Sequence, residues 1–537
     1  MKRLNNLSLL DSVKLIFITL LAFTALNAQD LNQGIRLIKV GKYTEARNFF
    51  DNLVKTNPKN ADAYYWLGKL DAKEGKVDQA QAEFQKGIEA NKDNALNFVG
   101  LGQVQLIKND STAAIKQFDE ALDMTDSKDA NVMIAIADAY LGSDAKNFGR
   151  PIQLLSKAKT VSKRNPRIFE RLGDIYLRLV NGSMAIQNYQ TAIDYDSANV
   201  ESYIGIGQIY SKIRNYNDAE ANFKKAITVD STYSPAYREF GEYYYARKEY
   251  MKAAEMYKKY LDYSDVTKDK LVRYATMLYL AKDYNTAIAV INQVSEKGGT
   301  PDAQLQHVLA YSLFSIDDAQ RGIPAFEKYF QMTDPKEITS TDYDYLGKLE
   351  AKAGNDSLAI ENYKKALALD STRIDLHGDI ANLYFKDKKW DDAAKQYELK
   401  EKSTGKPLSV LEYFNLGQAY YKMSDFKMAD TTYAKMIQIS PDQPIAYYYR
   451  ALSNAQLDPE SEQGLAKPYY EKFIELVTSK GPDQIAKFKN HLIEAYSYLG
   501  YFYYLKKDNA ASRANWVKVQ ELDPENKQAL EALKVLK

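Results

Sequence analysis

Three histidines stand in the 537-residue chain, His307, His377 and His491, separated by 70 and 114 residues. None belongs to an H-x3-H pair or an HExxH motif, the spacings that put two zinc ligands on one helical face. His377 occupies an aromatic packing position and reads as a buried structural residue. There is no cysteine, which removes disulfides, thiol catalysis, cysteine-held metal and lipid attachment to cysteine. The stretch from Gly34 to Tyr43 has a faint look of a phosphate loop. Six residues separate its glycines instead of four, Tyr43 follows the lysine, and no strand pattern precedes it, so that reading fails. No G-x-S-x-G elbow occurs, and the acidic run that starts at Asp458 lacks the ligand spacing of a calcium loop. The expectation is therefore no enzyme, no cofactor and no metal. The chemistry that remains is recognition, carried by 43 tyrosines. Each pairs a large contact area with a polar tip and loses little side-chain entropy on fixing.

Tyrosines recognise a partner only if something holds them in rows, and this sequence repeats at a fixed period. In the stretch 200–233, Tyr203, Ile206, Ile209 and Tyr210 fall at helical spacings of three and four, which predicts a helix over 201–213 with one buried face. Asn215, Tyr216 and Asn217 make a turn. A second helix starts near Asp218 with Ala219, Phe223, Ala226 and Ile227 on one stripe, and Asp230 and Ser231 end it. Gly207 returns 34 residues away on either side as Gly173 and Gly241, Ala219 as Ala185 and Ala253, Phe223 as Tyr189 and Tyr257. A mid-helix glycine costs roughly 1 kcal/mol against alanine. Its return in register argues that it lets the two helices approach while the aromatic residue fills the gap beside them.

The order Tyr203, Ile206, Gly207, Tyr210, Ala219, Phe223, Ala226 resembles the tetratricopeptide repeat, a helix-turn-helix unit of 34 residues stacked in tandem. Further units follow the same order. Tyr64, Leu67, Gly68, Ala80 and Phe84 make one, and Tyr343, Leu346, Gly347, Ala359 and Tyr363 another. Tyr413, Leu416, Gly417, Ala429 and Tyr433 make a third, and Tyr496, Leu499, Gly500 and Trp516 a late one in which Ser512 replaces the alanine. Pro324 falls within an expected second helix, where it delays or bends it. The resemblance implies an all-α solenoid, a right-handed superhelix of about fourteen helix-turn-helix repeats. Breaks near 142–151, 262–268, 296–302, 331–340, 401–409 and 456–468 mark candidate joints.

A single rounded core stops growing near 250–300 residues, so a chain of this length needs domains in series or a solenoid. Lysine plus arginine (72) balance aspartate plus glutamate (71), and a net charge of +1 gives no drive toward nucleic acid or an anionic membrane. Residues 1–28 read as a signal peptide: Lys2 and Arg3, then an apolar segment over 15–26, then a cut after Ala28. That segment is short for a membrane span of about 20 residues, and no later one is apolar enough. The expectation is an exported bacterial envelope protein of the periplasm. The alternative is an inner-membrane protein anchored by an uncleaved N-terminal segment. The expected organisation is an N-terminal repeat array over 29–262, a C-terminal array over 263–524 and a closing helix over 525–537.

Tetratricopeptide solenoids bind mainly along a concave wall of first helices, as the resemblance implies. Projected onto that wall, the candidate binding residues are Tyr245, Arg273, Tyr279, His307, Tyr311, Phe314, Phe385, Phe414, Tyr421, Tyr448, Tyr501 and Tyr504. Some members clamp an acidic tail with a Lys/Asn/Lys/Arg set across adjacent first helices, a set this chain lacks. The favoured function is a non-catalytic scaffold that holds a segment of a partner protein, with an envelope or outer-membrane complex as the expected setting. The alternative is a glycan-associated scaffold of a polysaccharide-export or outer-membrane assembly system.

Overall fold

The computed structural model describes residues 31–296 and 302–536. The segment read as a signal peptide lies outside them. Among the described residues every regular element is a helix. The helices pair into fourteen hairpins, and a short helix and a closing one complete the set.

The described residues divide into two compact units, one ending at Val308 and the other beginning at Leu309. Residues 263–296 and 302–308, read from sequence as the start of the second array, fall in the first unit. The division falls inside α17 rather than at a Pro/Gly-rich linker. First and second helices alternate along the N-terminal unit. They are α1 (31–39) and α2 (Tyr43–Thr56), α3 (Ala61–Lys73) and α4 (Val77–Ala90), α5 (Ala95–Ile107) and α6 (Ser111–Asp123), α7 (Ala130–Leu141) and α8 (Gly149–Val161). There follow α9 (Pro166–Arg178) and α10 (Gly182–Tyr195), α11 (Val200–Lys212) and α12 (Tyr216–Val229), α13 (Ser234–Ala246) and α14 (Tyr250–Asp262), α15 (Lys268–Leu280) and α16 (Tyr284–Glu296). Helix α17 (Ala303–Ser315) pairs in sequence with α18 (Ala319–Met332). In the C-terminal unit come α19 (Ser340–Ala353) and α20 (Asp356–Leu369), α21 (Asp375–Lys386) and α22 (Trp390–Thr404), α23 (Val410–Lys422) and α24 (Phe426–Ile439). The last are α25 (Pro444–Leu457) and α26 (Lys467–Thr478), the short α27 (Pro482–Lys487), α28 (Lys489–Leu505) and α29 (Asn509–Leu522), and α30 (Lys527–Val535). Pro324 sits inside α18, which continues past it to Met332.

Many of the hairpins are locked by a ring laid against a glycine, though α7–α8 and α15–α16 are not. A Cβ on Gly68 would lie 2.5 Å from the Phe84 ring, one on Gly173 2.5 Å from Tyr189, and one on Gly207 2.9 Å from Phe223. The same rings also touch a glycine of the next hairpin, Phe84 at Gly100 and Tyr189 at Gly205. Phe84, Tyr189 and Phe223 are at most 1% exposed. One ring therefore joins helices within a repeat and repeats to each other, and neither glycine can carry a side chain without displacing it. In the last hairpin Ser512 replaces the usual alanine, buried, and donates its hydroxyl to the Gly500 carbonyl at 2.7 Å.

The corner between the two helices is built the same way in most hairpins, though not between α7 and α8, where no residue of 142–148 has a positive φ. One residue adopts a left-handed conformation, Gly41, Gly75, Asn109, Val180, Arg214, Lys248 and Lys282 among them. The next amide then reaches back to a carbonyl five residues earlier, as Asn181 does to Tyr176 at 2.8 Å and Asn215 to Tyr210 at 2.9 Å. This satisfies carbonyls that the helix end would otherwise leave unpaired.

Candidate functional site

Neighbouring first helices pack side by side, α3 on α5, α5 on α7, α7 on α9 and α11 on α13 in the N-terminal unit, α21 on α23 in the C-terminal unit. They make a shared face in each unit. Side chains on that face decide what the unit offers a partner.

In the N-terminal unit the face is ionic and paired with itself. The Arg171 guanidinium of α9 bonds Asp138 of α7, its neighbour Glu170 and, at 2.7 Å, Asp174. Arg167 reaches Asp138 at 3.4 Å. Lys69 donates to Gln103 at 2.6 Å, Asn199 to Glu170 at 2.9 Å, and Gln208 to Glu239 at 2.7 Å. Burial pulls the Lys69 ammonium down to about 8, helped by Lys73 and Arg171 and opposed by Asp138. Burial also works against the Asp138 carboxylate, but Arg171, Arg167 and Lys69 outweigh it and hold Asp138 below the usual carboxylate range. Burial lifts Glu170 above that range, with Arg171 pulling the other way. Near the end of this unit Arg273 lies 3.8 Å over the Tyr245 ring and bonds Glu242 at 3.0 Å, so both predicted residues are engaged with each other.

In the C-terminal unit aromatic rings dominate. Phe314 and Tyr345 stack with centroids 3.9 Å apart and planes 9° from parallel. Tyr311 donates to Asp342 at 2.7 Å and lies 5.0 Å from Tyr345. Phe414 meets Tyr449 edge-on at 5.4 Å, and Tyr449 stacks on Tyr433, whose hydroxyl accepts from Gln418 at 2.9 Å. At the far end Tyr501 and Tyr504, each 48% exposed, line a cavity of about 470 Å³ with Trp516, Val535 and Leu536. That volume falls within the range of small-ligand and side-chain pockets.

The other predicted residues separate. Tyr279 is half-buried with its ring 5.7 Å from Tyr284, and His307 is half-buried. Phe385 and Tyr421 are half-buried and turn edge-on to Trp390 and Phe426, at the start of their own second helices. Tyr448 is not on an open face. It is 5% exposed, packed on Tyr470, Phe473 and His491, with its hydroxyl donated to Glu494. The same register is buried in regular hairpins too, at Tyr65, Val99 and Ile204, so the projection put Tyr448 on a packing position. His377 is half-buried, its Nδ1 2.7 Å from Gln396 Oε1. Among the described residues no group of three or more histidines and carboxylates is placed to hold a metal ion, and no helix is long and apolar enough to cross a membrane. Sequence reasoning missed Tyr345, Tyr449 and Tyr498. Tyr345 and Tyr498 stand directly before a Leu-Gly pair, a register that could have found them.

Models of the tetratricopeptide repeat match residues 37–97, 200–233 and 413–443. The C-terminal part of a TPR repeat-containing protein from Cytophaga hutchinsonii is 33% identical, covering 49% of this chain and 99% of that one, with a TM-score of 0.39. The chain belongs to the tetratricopeptide repeat family. Tetratricopeptide repeat protein 1 of Schizosaccharomyces pombe is 29% identical over 142 residues, 26% of this chain but only 13% of that protein's length. A tetratricopeptide repeat protein from Parabacteroides merdae is 18% identical over 47% of this chain and 98% of that one, with a TM-score of 0.29. Tetratricopeptide arrays are in general non-catalytic surfaces for contact with other proteins, and no catalytic family is indicated for this chain.

Proposed function

We propose that this chain is a non-catalytic scaffold of the bacterial cell envelope, exported to the periplasm, that holds an extended or helical segment of a partner protein along the first-helix face of its C-terminal unit. The observation that carries the choice of unit is the contrast between the two faces. Charges in the N-terminal unit already have partners, and a ligand would have to replace each contact it broke. Aromatic rings in the C-terminal unit are half-exposed, so covering them gains apolar burial without breaking an ion pair. The segment over 1–28 supports export. Retention of the N-terminus in the inner membrane is the other location, and N-terminal sequencing of the protein recovered from cells separates the two.

A photo-crosslinking residue at Tyr501 or Phe414, compared with one at Asp174, tests the site in cells. The C-terminal positions should trap the same partner segment while the N-terminal one traps none. Crosslinks only from Asp174, or no protein partner from any position, would end the proposal.

The cavity beside Tyr501, Tyr504 and Trp516 favours a second reading, a glycan-associated scaffold, because exposed rings can stack on sugars. Binding of purified polysaccharide that Tyr501→Ala with Tyr504→Ala abolishes would favour it; no binding at about millimolar sugar ends it.

A further inference from the structure

We infer that the first hairpin is a latch: the corner between α1 and α2 closes the N-terminal unit on itself through a polar seam that can open while the hairpins stay folded. This goes beyond the scaffold reading and does not depend on it.

The seam joins residues 162 to 224 positions apart in the chain. Arg36 pairs with Asp230 at 2.5 Å and donates to Thr232 at 2.9 Å. Lys39 pairs with Glu201 at 2.9 Å, and Glu201 also accepts from the Tyr233 hydroxyl at 3.0 Å. The Ser234 hydroxyl donates to the Val40 carbonyl at 2.6 Å. The Asp265 amide donates to the Gly41 carbonyl at 3.0 Å, and the Asp265 carboxylate accepts from the Thr44 amide at 2.8 Å. The opening hairpin thus meets the sixth and seventh hairpins and the loop that follows.

Two comparisons within the molecule show that this contact is an added feature. Gly41 and Gly75 hold the same corner in successive hairpins, with φ of 75° and 76°. Around Gly75 nothing lies within 4 Å of where a Cβ would be, whereas at Gly41 the Ser264 Cβ is 3.4 Å away and the Ser234 hydroxyl 3.8 Å. The seam, not the corner's own geometry, buries Gly41. The second comparison concerns the core. The apolar cluster of the first hairpin contains Ala46, Phe50, Ala63, Leu67 and Leu70, with Leu37 and Ile38 against it, and takes no residue from the sixth or seventh hairpin. Beside the seam Val40 and Tyr233 are also buried, each 6% exposed, with the Arg36 guanidinium 5.5 Å over the Tyr233 ring. The polar contacts that close the unit include two ion pairs made by half-exposed or exposed cations. Contacts of that kind weaken with salt, whereas the glycine–ring joints between hairpins do not. A unit built so can open at the seam while every hairpin stays folded.

Hydrogen exchange on the full-length chain, resolved to short peptides and run without any partner, reads the seam directly. The Thr44 amide lies in the first turn of α2 and has no acceptor within that helix. The Asp265 amide likewise reports the seam, since its acceptor is Gly41. Both should be protected at least about 10-fold at low salt. That protection should fall toward the unprotected rate at about 0.5 M NaCl, and in Arg36→Ala with Lys39→Ala, while amides of α4 to α12 keep theirs. An Asp265 amide that exchanges freely in the wild-type chain at low salt overturns the latch. So does one whose protection neither salt nor the double variant changes. If the double variant loosens α4 to α12 as well, a cysteine pair decides. Gly41→Cys with Ser264→Cys places two Cβ atoms close to disulfide range, and no native cysteine competes. Rapid intramolecular oxidation at low salt, slowed several-fold by NaCl, supports the latch; failure of the bridge to form, or a rate indifferent to salt, rejects it.

Discussion

The two units share one skeleton and differ in what they hang on it. Gly173 under Tyr189 in the N-terminal unit and Gly347 under Tyr363 in the C-terminal unit are the same joint. Left-handed corners recur in both, at Arg214 and at Lys388. The first-helix faces diverge because the skeleton leaves them free. One carries Asp138, Glu170, Arg171 and Asp174 bonded among themselves; the other carries Phe314, Tyr345, Phe414 and Tyr449 in rows. On the scaffold reading proposed above, the array devotes one stretch to internal cohesion and another to recognition without altering its fold. Cohesion uses groups that are costly to separate, and recognition uses groups that gain from being covered.

The contrast breaks most visibly at Arg171. Arg171→Ala strips the cation from Glu170 and Asp174, leaves Asp138 bonded to Arg167 alone, and should cost the N-terminal unit about 3 kcal/mol. Calorimetry should show that unit's transition falling while the other stays in place. Equal shifts in both, or none, would mean the ionic face is not what holds the unit.

Tyr501→Ala with Tyr504→Ala acts on the other side. Both rings are half-exposed, so stability should change by less than about 0.5 kcal/mol, while affinity for the trapped partner segment falls about 30-fold, or about 2 kcal/mol. Titration calorimetry checks the second number and thermal melting the first.

pH sharpens the comparison further. Lys69 is held down to about 8 in the folded chain against an unfolded value near 10.5. Between those values the unfolded chain binds more protons, so stability rises with pH across that window. The N-terminal unit should gain about 1–2 kcal/mol between pH 8 and pH 10, part of it also from Lys270, which burial likewise draws down to about 8. Lys69→Met should flatten the slope. A slope unchanged by that substitution would place the effect elsewhere.

The smallest effect lies in the shared skeleton. Val180 is 91% exposed in a left-handed corner with φ of 59°. A β-branched residue is strained there. Val180→Gly should stabilise the unit by about 1 kcal/mol, read from the denaturant midpoint.

Much of this skeleton was legible from the sequence. The 34-residue return of Gly207 and Phe223 marked a joint that the structure places ring against glycine, and the helix expected over 201–213 runs from Val200 to Lys212. The corners were harder. Val180, Arg214 and Lys248 take a conformation that usually announces itself by glycine, and the tertiary fold imposes it instead. The ionic face was invisible because a charge on a helix reads as solvated until its neighbour in the next repeat is known. A clue did exist: Lys69 and Gln103 stand one repeat apart, and Asp138 and Arg171 nearly so. Tyr448 was misplaced because its register, shared with Tyr65 and Ile204, is a buried packing position. The unit boundary at 308 could not be read because no change in composition marks it.

Hydrogen exchange of the full chain, alone and with the partner segment recovered by crosslinking, tests the division of labour most directly. Added protection should fall on the first helices α19, α23, α25 and α28 and leave α3 to α11 unchanged. Protection that appears on α3 to α11 and spares the C-terminal unit would contradict it.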